Sequence, residues 1–330
     1  MAKAIVVHET GGPEVLKWED LDLPAPGRGE IRLKINAAAV NFQDINIRYG
    51  RWGFTSPRGF PYIPGSEGVG VVTAVAPDVK DFVVGQRVGF AASGGRQSYA
   101  QEMNVKAFAA IPVPDSISDA IFAATMLKGQ TAHMLLEQVH KLRPGETALI
   151  HGASGAIGTI LCQWAKHIGA KVIGTVGSSQ EKAKFALAHG CDHVLILSDG
   201  NLAKRVRDLT NGRGVAVVYD GVGRAVAAES LACLALRGVM VTYGQTSGPA
   251  PACDPADLMK VSASFTRPML HDFILNRAEL LAAAQAVFDV VSGGHVKVEI
   301  CRRYPMADAA QAHRDKEARL TVGSSILVND

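Results

Sequence analysis

The sequence predicts an α/β protein that combines a doubly wound parallel sheet with a second, β-rich domain. The first observation is the stretch 147–158, TALIHGASGAIG, in which a short apolar run enters a glycine turn of the form GxxGxxG and a helical pattern follows. This layout is typical of a dinucleotide-binding turn, because small residues let the backbone approach a pyrophosphate and the helix N-terminus offers unpaired N–H groups. The second observation is that strand-like and helical segments alternate after residue 147. The third is that residues 1–120 hold short Val- and Ile-rich runs separated by Gly and Pro.

The alternation predicts five strands joined by four helices, hence right-handed crossovers and a Rossmann-type sheet. A glycine cluster alone also makes an ordinary tight turn, and the alternation is what favours nucleotide binding. The predicted strands are 147–152, 171–176, 192–197, 214–219 and 238–243, with Val261–Thr266 as a sixth, and the predicted helices are 156–168, 180–189, 201–210 and 225–236. In the final segment the pattern predicts a helix at Leu275–Val291, a strand at His295–Ile300, a helix at Met306–Arg319 and a last strand, SSILV.

Length and composition limit the classes of function. A chain of 330 residues is long enough for two domains, and we expect a β-rich domain at 1–122, a nucleotide-binding domain at 123–266 and a C-terminal segment at 267–330 that returns to the first domain. Hydrophobic residues at 48%, charged residues at 20% and a formal net charge of +3 are typical of a globular enzyme and give no reason to expect a nucleic acid partner.

The N-terminus does not have the pattern of a signal peptide, and no window has the roughly 18 uninterrupted apolar residues of a membrane helix. The five cysteines stand singly, which predicts reduced thiols. We therefore expect a cytoplasmic protein that makes no contact with a membrane.

The end of the second predicted strand indicates which dinucleotide binds. In an NAD-type site an acidic residue stands there and holds the ribose 2′-OH. Here the strand 171–176 runs into Gly-Ser-Ser at 177–179, with Lys182 close behind, and hydroxyl donors beside a positive charge suit a 2′-phosphate. The sequence therefore favours NADPH over NADH. Two alternatives stay open, because the serines would also cap the next helix and Glu181 lies inside that helix.

Motifs spread along the whole chain carry a family resemblance. They are GGPEVL (11–16), AVNFQDINIRYG (39–50), PYIPGSEGVGVV (61–72), VGQRV (84–88), LKGQTAH (127–133), HGASGAIG (151–158), CQWAKHIGAKVIGTVGS (162–178), VVYDGVG (217–223), RGVMVTYGQTSG (237–248), FTRP (265–268) and TVGSSILV (321–328). This combination resembles the zinc-free quinone oxidoreductases of the zeta-crystallin type, within the medium-chain dehydrogenase/reductase superfamily. The resemblance implies a GroES-like fold for the β-rich domain and a homodimer paired through an edge strand, for which Gly238–Tyr243 and Val261–Thr266 are the candidates.

Zinc relatives in that superfamily carry a Cys near position 41 and a Gly-His-Glu triplet near position 66. This chain has Asn41 and the triplet Gly65-Ser66-Glu67, and it has no four-Cys loop for a structural zinc. Neutral amide and hydroxyl groups are poor Zn²⁺ ligands beside thiolate and imidazole, so we expect no metal.

Carried over position by position, the resemblance implies four groups of cofactor-binding residues. The pyrophosphate would lie on Gly152, Ala153, Ser154, Gly155, Ala156, Ile157 and Gly158. The 2′-phosphate would face Ser178, Ser179 and Lys182, with Arg319 closing on it. The nicotinamide half would lie along Phe42, Asn46, Lys128, Thr131 and His133. The adenosine and nicotinamide sides would be lined by Gly221, Tyr243, Gly244, Gln245, Thr246, Phe265 and Thr266.

Three positions depart from the relatives. Leu197 stands where a Tyr that stacks on the adenine is usual, and Asn46 and Trp52 stand where relatives carry Tyr in the substrate cleft. We therefore expect a somewhat different substrate, with Trp52 either stacking on it or packing locally.

The reaction that the resemblance implies is hydride transfer to an electron-poor carbon, in which the cofactor carries the chemistry and the protein supplies orientation and polarity. The candidate catalytic residues are Asn41, Asp44 and Arg267. Asn41 would donate an amide N–H to the oxygen on which negative charge develops, or else satisfy local backbone. Asp44 is expected to order its loop rather than to donate a proton. Arg267 would help electrostatically or bind the cofactor.

The predicted function is NADPH-dependent, metal-independent reduction of a quinone. Reduction of α,β-unsaturated aldehydes and ketones is the close alternative, and the sequence does not separate the two. A non-catalytic NADPH-binding protein of the crystallin type is an alternative from another class. The absent Cys and His ligands argue against a zinc alcohol dehydrogenase.

Overall fold

The computed structural model describes residues 2–53, 59–92 and 97–329, except for the side chain of Trp52, so the role expected of Trp52 lies outside the described residues. The chain divides into two compact units. The first unit comprises Met1–Lys128, Ile274–Phe288 and Val298–Asp330, and the second unit comprises Gly129–Phe273 and Asp289–Lys297. No helix among the described residues has the length and apolar character needed to cross a bilayer.

The described strands, in chain order, are β1 (Ala2–Val6), β2 (Lys17–Leu21), β3 (Glu30–Ala39), β4 (Glu67–Val75), β5 (Arg87–Ala91), β6 (Glu102–Lys106), β7 (Ile111–Pro112), β8 (Thr147–His151), β9 (Lys171–Val176), β10 (His193–Ile196), β11 (Val215–Asp220), β12 (Leu234–Thr242), β13 (Ser264–Thr266), β14 (Ile300–Pro305) and β15 (Ser324–Val328). The helices are α1 (Phe42–Tyr49), α2 (Asp119–His133), α3 (Ala156–Ile168), α4 (Gln180–Ala188), α5 (Leu202–Leu209), α6 (Ala227–Ala232), α7 (Pro255–Met259), α8 (Arg277–Ser292) and α9 (Ala309–Glu317). A π-helical stretch, Met134–Val139, continues α2.

The first unit is organised around a largely antiparallel sheet in the order β14-β15-β3-β4-β5-β7, with β6 also paired to β3. In β3 the residues Ile31, Leu33 and Ile35 are fully buried, whereas Arg32 and Lys34 between them reach solvent. This alternation is what makes EIRLKINAAA a strand with one face on the core. The β-rich fold predicted for the N-terminal part is confirmed.

The second unit is a six-stranded parallel sheet in the order β10-β9-β8-β11-β12-β13. Its strands are short runs of buried aliphatic residues, as expected where helices cover both faces of a sheet. The strand order reverses between β8 and β11, and ligands of doubly wound folds bind outside the carboxyl ends of the strands at such a point. The predicted Rossmann sheet is confirmed, including its sixth strand, which is β13.

Around the glycine turn, the helix and strand bounds predicted from sequence agree closely with those in the structure. The helix predicted at 156–168 is α3, and the strand predicted at 171–176 is β9. The helix predicted at 225–236 is wrong at its end, because the chain already enters β12 at Leu234, where it pairs with Val215 of β11. The apolar run that suggested a strand start at residue 238 is only the later half of β12.

The strand predicted at His295–Ile300 is also wrong. His295 and Val296 donate backbone N–H bonds to the Val290 carbonyl and so close the end of α8. The strand lies at Ile300–Pro305 instead, where β14 pairs in parallel with β15. Pairing with a distant strand, rather than local apolar character, therefore fixes its position.

Candidate active site

The glycine turn links β8 to α3 at the carboxyl edge of the sheet in the second unit. Gly152 has φ +67, a left-handed conformation that favours glycine. A Cβ on Gly158 would lie 2.2 Å from the Gly152 carbonyl oxygen, so only glycine lets the first turn of α3 pack against the turn before it. The first N–H groups of a helix have no earlier helical carbonyl to bond, and here they face a turn without bulky side chains. The sequence-predicted residues 152–158 are brought together in this one turn.

A buried histidine joins the two strand ends from which the predicted phosphate-binding loops leave. His151, the last residue of β8, contacts the Thr175 hydroxyl through Nδ1 at 2.8 Å and the Ser230 hydroxyl through Nε2 at 2.8 Å. Ser230 donates its own proton to the Val226 carbonyl at 2.7 Å, so we assign the ring proton to Nε2 and the acceptor role to Nδ1. Burial lowers the pKa of His151 from 6.5 to about 3, so this ring is neutral at physiological pH.

At the end of β9 the structure shows the helix cap that the sequence left open. The Ser179 hydroxyl accepts the Lys182 N–H at 3.2 Å, which caps α4, and donates to the Glu181 carboxylate at 2.8 Å. Ser178 is exposed beside it. Hydrogen bonds from the backbone and from Ser179 lower the pKa of Glu181. The loop therefore holds one carboxylate as well as the hydroxyls and the lysine expected of a 2′-phosphate site.

The carboxyl ends of β11 and β12 carry interlocked loops. The Asp220 carboxylate accepts the N–H groups of Val222 at 2.7 Å and Gly223 at 2.9 Å, which shapes the first loop. A Cβ on Gly244 would lie 2.6 Å from the Gly221 carbonyl oxygen, so the two loops touch backbone to backbone. These contacts collect the residues predicted from the family resemblance, namely Gly221, Tyr243, Gly244, Gln245 and Thr246, at one edge of the sheet.

Sequence reasoning did not single out Asp220, although an Asp-Gly pair directly after a buried strand is the signal that would have found it. Its side chain is fully buried, and its Oδ2 has no hydrogen-bond partner among the described residues. Burial raises the pKa of this carboxyl, against the N–H groups of Gly223 and Val222 and the Arg267 guanidinium.

Arg267 follows β13, after Phe265 and Thr266 within that strand. Its guanidinium donates to the Thr242 carbonyl at 3.4 Å and to Gln245 Oε1 at 3.1 Å. The geometry therefore ties Arg267 to the loop after β12, which fits a role beside the predicted cofactor residues.

In the first unit the predicted residues gather at the start of α1. The Asn41 N–H donates to Asp44 Oδ2 at 3.1 Å, and the Ser66 hydroxyl donates to Asp44 Oδ1 at 2.5 Å. Asp44 is buried, and both of its oxygens order this loop. The Asn41 side chain donates through Nδ2 to Glu67 Oε1 at 3.0 Å. This bond orients the amide, because it fixes which end of it is the donor.

Glu67 is the centre of this cluster and was missed by sequence reasoning. It is fully buried at the start of β4, where it forms an ion pair with Lys128 and accepts the Leu127 N–H at 2.7 Å. A charged residue opening the apolar run EGVGVVTAV was the available signal. Lys128, which is predicted to contact the nicotinamide half, therefore uses one of its three N–H donors in the bond to Glu67.

The remaining predicted residues lie on α1, at the end of α2, after α9 and after β10. Phe42 and Asn46 lie on α1, and Phe42 is half-buried below the Lys316 ammonium. Thr131 and His133 belong to the second unit, at the end of α2, where the His133 ring lies 6.0 Å from that of Trp164. Burial lowers the pKa of His133. Arg319 is exposed just after α9, and Leu197 is half-buried after β10.

Comparison with known proteins places this geometry among dehydrogenases. Residues 27–115 match the alcohol dehydrogenase GroES-like domain, and residues 156–289 match the zinc-binding dehydrogenase family. The chain is 40% identical to a quinone oxidoreductase of Pseudomonas aeruginosa, covering 99% of this chain and 100% of that protein. It is 39% identical to a 2-haloacrylate reductase of a Burkholderia species, covering 99% of each. The crystal structure of Escherichia coli quinone oxidoreductase complexed with NADPH superposes with a TM-score of 0.94 at 38% identity, covering 99% of this chain and 100% of that one.

The zinc implied by the second family does not fit the residues present. Where zinc relatives have Cys and His, this chain has Asn41 and Ser66, whose side chains donate to Glu67 and to Asp44. The Lys128 ammonium sits against the Glu67 carboxylate, and a cation already there opposes a second one. Within residues 2–53, 59–92 and 97–329, no three His, Cys, Asp or Glu residues are grouped as metal ligands.

Proposed function

The chain belongs to the quinone oxidoreductase family of the medium-chain dehydrogenase/reductase superfamily, and we propose that it reduces a quinone with NADPH and without a metal. The glycine turn between β8 and α3 supports this function most directly, because Gly158 allows a close contact that any side chain would prevent. A turn of this kind at the switch point of a parallel sheet suits a pyrophosphate.

NADPH, when bound, supplies a hydride, so that NADPH, one proton and a quinone give NADP⁺ and a hydroquinone. The chain contributes binding and orientation. The loops after β8, β11 and β12 would hold the dinucleotide, with Arg267 fixed by Gln245 as part of that surface. Asp44 would keep its structural role, because both of its oxygens already accept hydrogen bonds.

Asn41 is the polar group proposed to meet the acceptor oxygen. Its amide has two N–H bonds, and the bond to Glu67 uses one of them. The other is then held in a fixed direction by a buried partner, which is the preorganisation that stabilises charge developing on an oxygen. This arrangement supports a donor role for Asn41 beyond its part in starting α1.

Reduction of an activated C=C bond is the second candidate. It is favoured by the similarity to a 2-haloacrylate reductase over nearly the full length of both chains. Both reactions deliver a hydride to a carbon conjugated to a carbonyl. The Asn41 amide and the glycine turn that holds the dinucleotide would therefore serve either reaction.

The test is the loss of nicotinamide fluorescence with benzoquinone, naphthoquinone, a 2-alkenal and 2-chloroacrylate, measured side by side in the presence of a chelator. We expect turnover of a quinone with NADPH. Faster turnover of the alkenal or of chloroacrylate would favour the second candidate. Tight NADPH binding without oxidation in the presence of any acceptor would contradict an enzymatic function.

Preference for NADPH over NADH is proposed from the loop that follows β9. Ser178 and Lys182 support it, whereas Glu181 at the start of α4 opposes it by like charge. The substitution Lys182→Met is expected to raise KM for NADPH about tenfold and to leave that for NADH unchanged, since a charge-assisted contact to phosphate is lost. An equal change in the KM values for NADPH and NADH would contradict the proposal.

A homodimer in the cytoplasm is also proposed. Of the two predicted pairing segments, Gly238–Tyr243 lies in β12, an inner strand, up to Thr242, whereas Val261–Thr266 includes β13 at the sheet edge. Leu236 lies near the start of β12 and is 70% exposed. Met259 lies at the end of α7, shortly before β13, and is 77% exposed. Exposed apolar side chains beside an edge strand are typical of a surface that pairs with another chain, which supports pairing there. The substitution Met259→Lys should convert a dimer to a monomer in light scattering, and an unchanged mass would count against this edge.

A further inference from the structure

Lys316 is a buried lysine that the proposed mechanism does not use. It lies on the last turn of α9, the residue is only 7% exposed, and its ammonium lies 5.2 Å from the centre of the Phe42 ring. Among the described residues the ammonium forms no ion pair and no hydrogen bond. Its one direct partner among the described residues is therefore an aromatic face, which stabilises a cation only modestly.

The carboxylates nearby are committed elsewhere. Charged or titratable groups face Lys316 from four elements: Asp44 on α1, Glu67 on β4, Lys128 on α2 and Cys301 on β14. Glu67 is paired with Lys128, and Asp44 accepts the Ser66 hydroxyl and the Asn41 N–H. Neither carboxylate lies within ion-pair distance of Lys316, and the Lys128 ammonium repels it.

This arrangement is costly to the folded protein. Burial, with a further contribution from Lys128, lowers the pKa of Lys316 from 10.5 to about 8, whereas Asp44, Glu67 and Cys301 oppose that shift. A lysine that is only 7% exposed and whose ammonium has no paired charge is unfavourable, and an unbranched apolar side chain would pack on Phe42 without that cost. Charged groups kept at such a cost are concentrated at functional sites, where a ligand completes the pairing.

We propose that the Lys316 ammonium, held over Phe42, binds an anionic oxygen of the acceptor. This inference rests on the proposed function and specifies its substrate class. The oxygen is either the carboxylate of an unsaturated acid or the carbonyl oxygen of a neutral acceptor as it gains charge. In the latter case the hydride brings two electrons and bonds to the conjugated carbon. The C=C electron pair shifts toward the carbonyl, and the carbonyl oxygen becomes anionic. A proton from solvent then neutralises the product.

The location of Phe42 supports this assignment. Phe42 is the first residue of α1, directly after Asn41, the residue proposed to donate to the acceptor oxygen. Lys128, Asn41 and Lys316 all lie in the first unit, and Lys128 and Asn41 share Glu67 as a partner. A positive charge beside the amide donor would strengthen the stabilisation of an oxyanion.

The test compares Lys316→Met with Arg314→Met, which removes one positive charge from the exposed face of the same helix. Turnover is measured with 2-chloroacrylate and with benzoquinone from pH 6 to pH 10. We expect K316M to lower kcat/KM at least about tenfold, the loss typical of a charge-assisted hydrogen bond. We also expect the decline of the wild-type rate above about pH 8 to disappear in K316M, and R314M to behave as wild type.

A loss confined to chloroacrylate identifies the substrate carboxylate as the partner, and a loss in kcat with both acceptors identifies the developing oxyanion. Unchanged kinetics and an unchanged pH profile in K316M would overturn the proposal.

A second measurement keeps the inference separate from the enzymatic proposal. Acrylate is titrated into the full chain, with the Lys316 side chain followed by NMR after reductive methylation. Acrylate that raises the Lys316 pKa, with no binding to K316M, supports the site even if no acceptor is turned over. Acrylate that binds K316M as it binds wild type would contradict the site even if quinones are reduced.

Discussion

The Lys128 ammonium and the Glu67 carboxylate form an ion pair that is almost completely removed from solvent, with side chains 2% and 0% exposed. Glu67 also orients the Asn41 amide, so this pair fixes the polar group proposed to meet the acceptor. The pair lies beside Asn41 and next to Ser66, the two positions at which zinc relatives carry Cys and His. The Lys128 charge is balanced by Glu67, and neither partner can be removed without leaving the other buried and unpaired.

The first prediction concerns this pair. Lys128→Met should lower the free energy of unfolding by about 3 to 5 kcal/mol, because the Glu67 charge is left uncompensated. The double variant E67Q/K128M should recover much of that loss. Urea denaturation of the two single variants and the double variant measures the coupling. Strictly additive losses would show that the two groups do not depend on each other.

The second prediction concerns Lys316 and stability. Its pKa is about 8 in the folded protein and 10.5 as a free side chain, so between these values the unfolded chain binds more protons and stability rises with pH. Below about pH 8 the full penalty, on the order of 3 kcal/mol, is present. K316M should therefore unfold at higher urea concentration than wild type at pH 7, with the difference shrinking toward pH 10. A variant that is less stable at pH 7 would contradict the burial argument.

The third prediction concerns His151, whose lowered pKa makes stability depend on pH in the acidic range, whereas Lys316 does so in the alkaline range. The unfolded side chain gains a proton below 6.5 and the folded one only near 3, so the neutral ring contributes stability that is complete above 6.5 and is lost progressively as the pH falls toward 3. At pH 5 this loss is about 2 kcal/mol. H151Q, which cannot take up a proton in this range, should be less sensitive to acid than wild type by that amount. Parallel stability curves for the two proteins from pH 7 to pH 5 would rule out this contribution.

The fourth prediction tests the glycine turn. Gly158→Ala places a methyl group 2.2 Å from the Gly152 carbonyl oxygen, so the turn must open. The affinity for NADPH should therefore fall at least about tenfold. Gly27→Ala is the matched control, since its Cβ meets only the flexible Glu30 carboxylate at 3.3 Å. Fluorescence titration with NADPH compares the two variants. Equal affinities for G158A and wild type would show that the dinucleotide does not use this turn.

The parts of the fold that local pattern determines could be predicted. The glycine turn, α3 and β9 follow from residues adjacent in sequence, because glycine spacing and helical periodicity are local properties. The end of α6 and the position of β14 could not be predicted, since pairing with Val215 and with β15 determines them. Non-local pairing overrides the local apolar pattern in both cases.

The candidate site divides in the same way. The family resemblance predicted Asn41 and Asp44, whereas only the fold shows that Glu67 and Lys128, which are 61 residues apart, form a pair. Lys316 lies in the charged stretch HRDKE, which has the composition of a solvated helix face. Its burial depends on α1 and Phe42, far away in the chain.

The most direct test of the central claim is the primary isotope effect on quinone reduction with NADPH deuterated at nicotinamide C4, using protein dialysed against a chelator. Hydride transfer from NADPH without a metal predicts steady turnover and a slower rate with one of the two C4-deuterated isomers. Activity that is lost on chelation and restored by Zn²⁺ would contradict the account, as would the absence of NADPH oxidation with every acceptor.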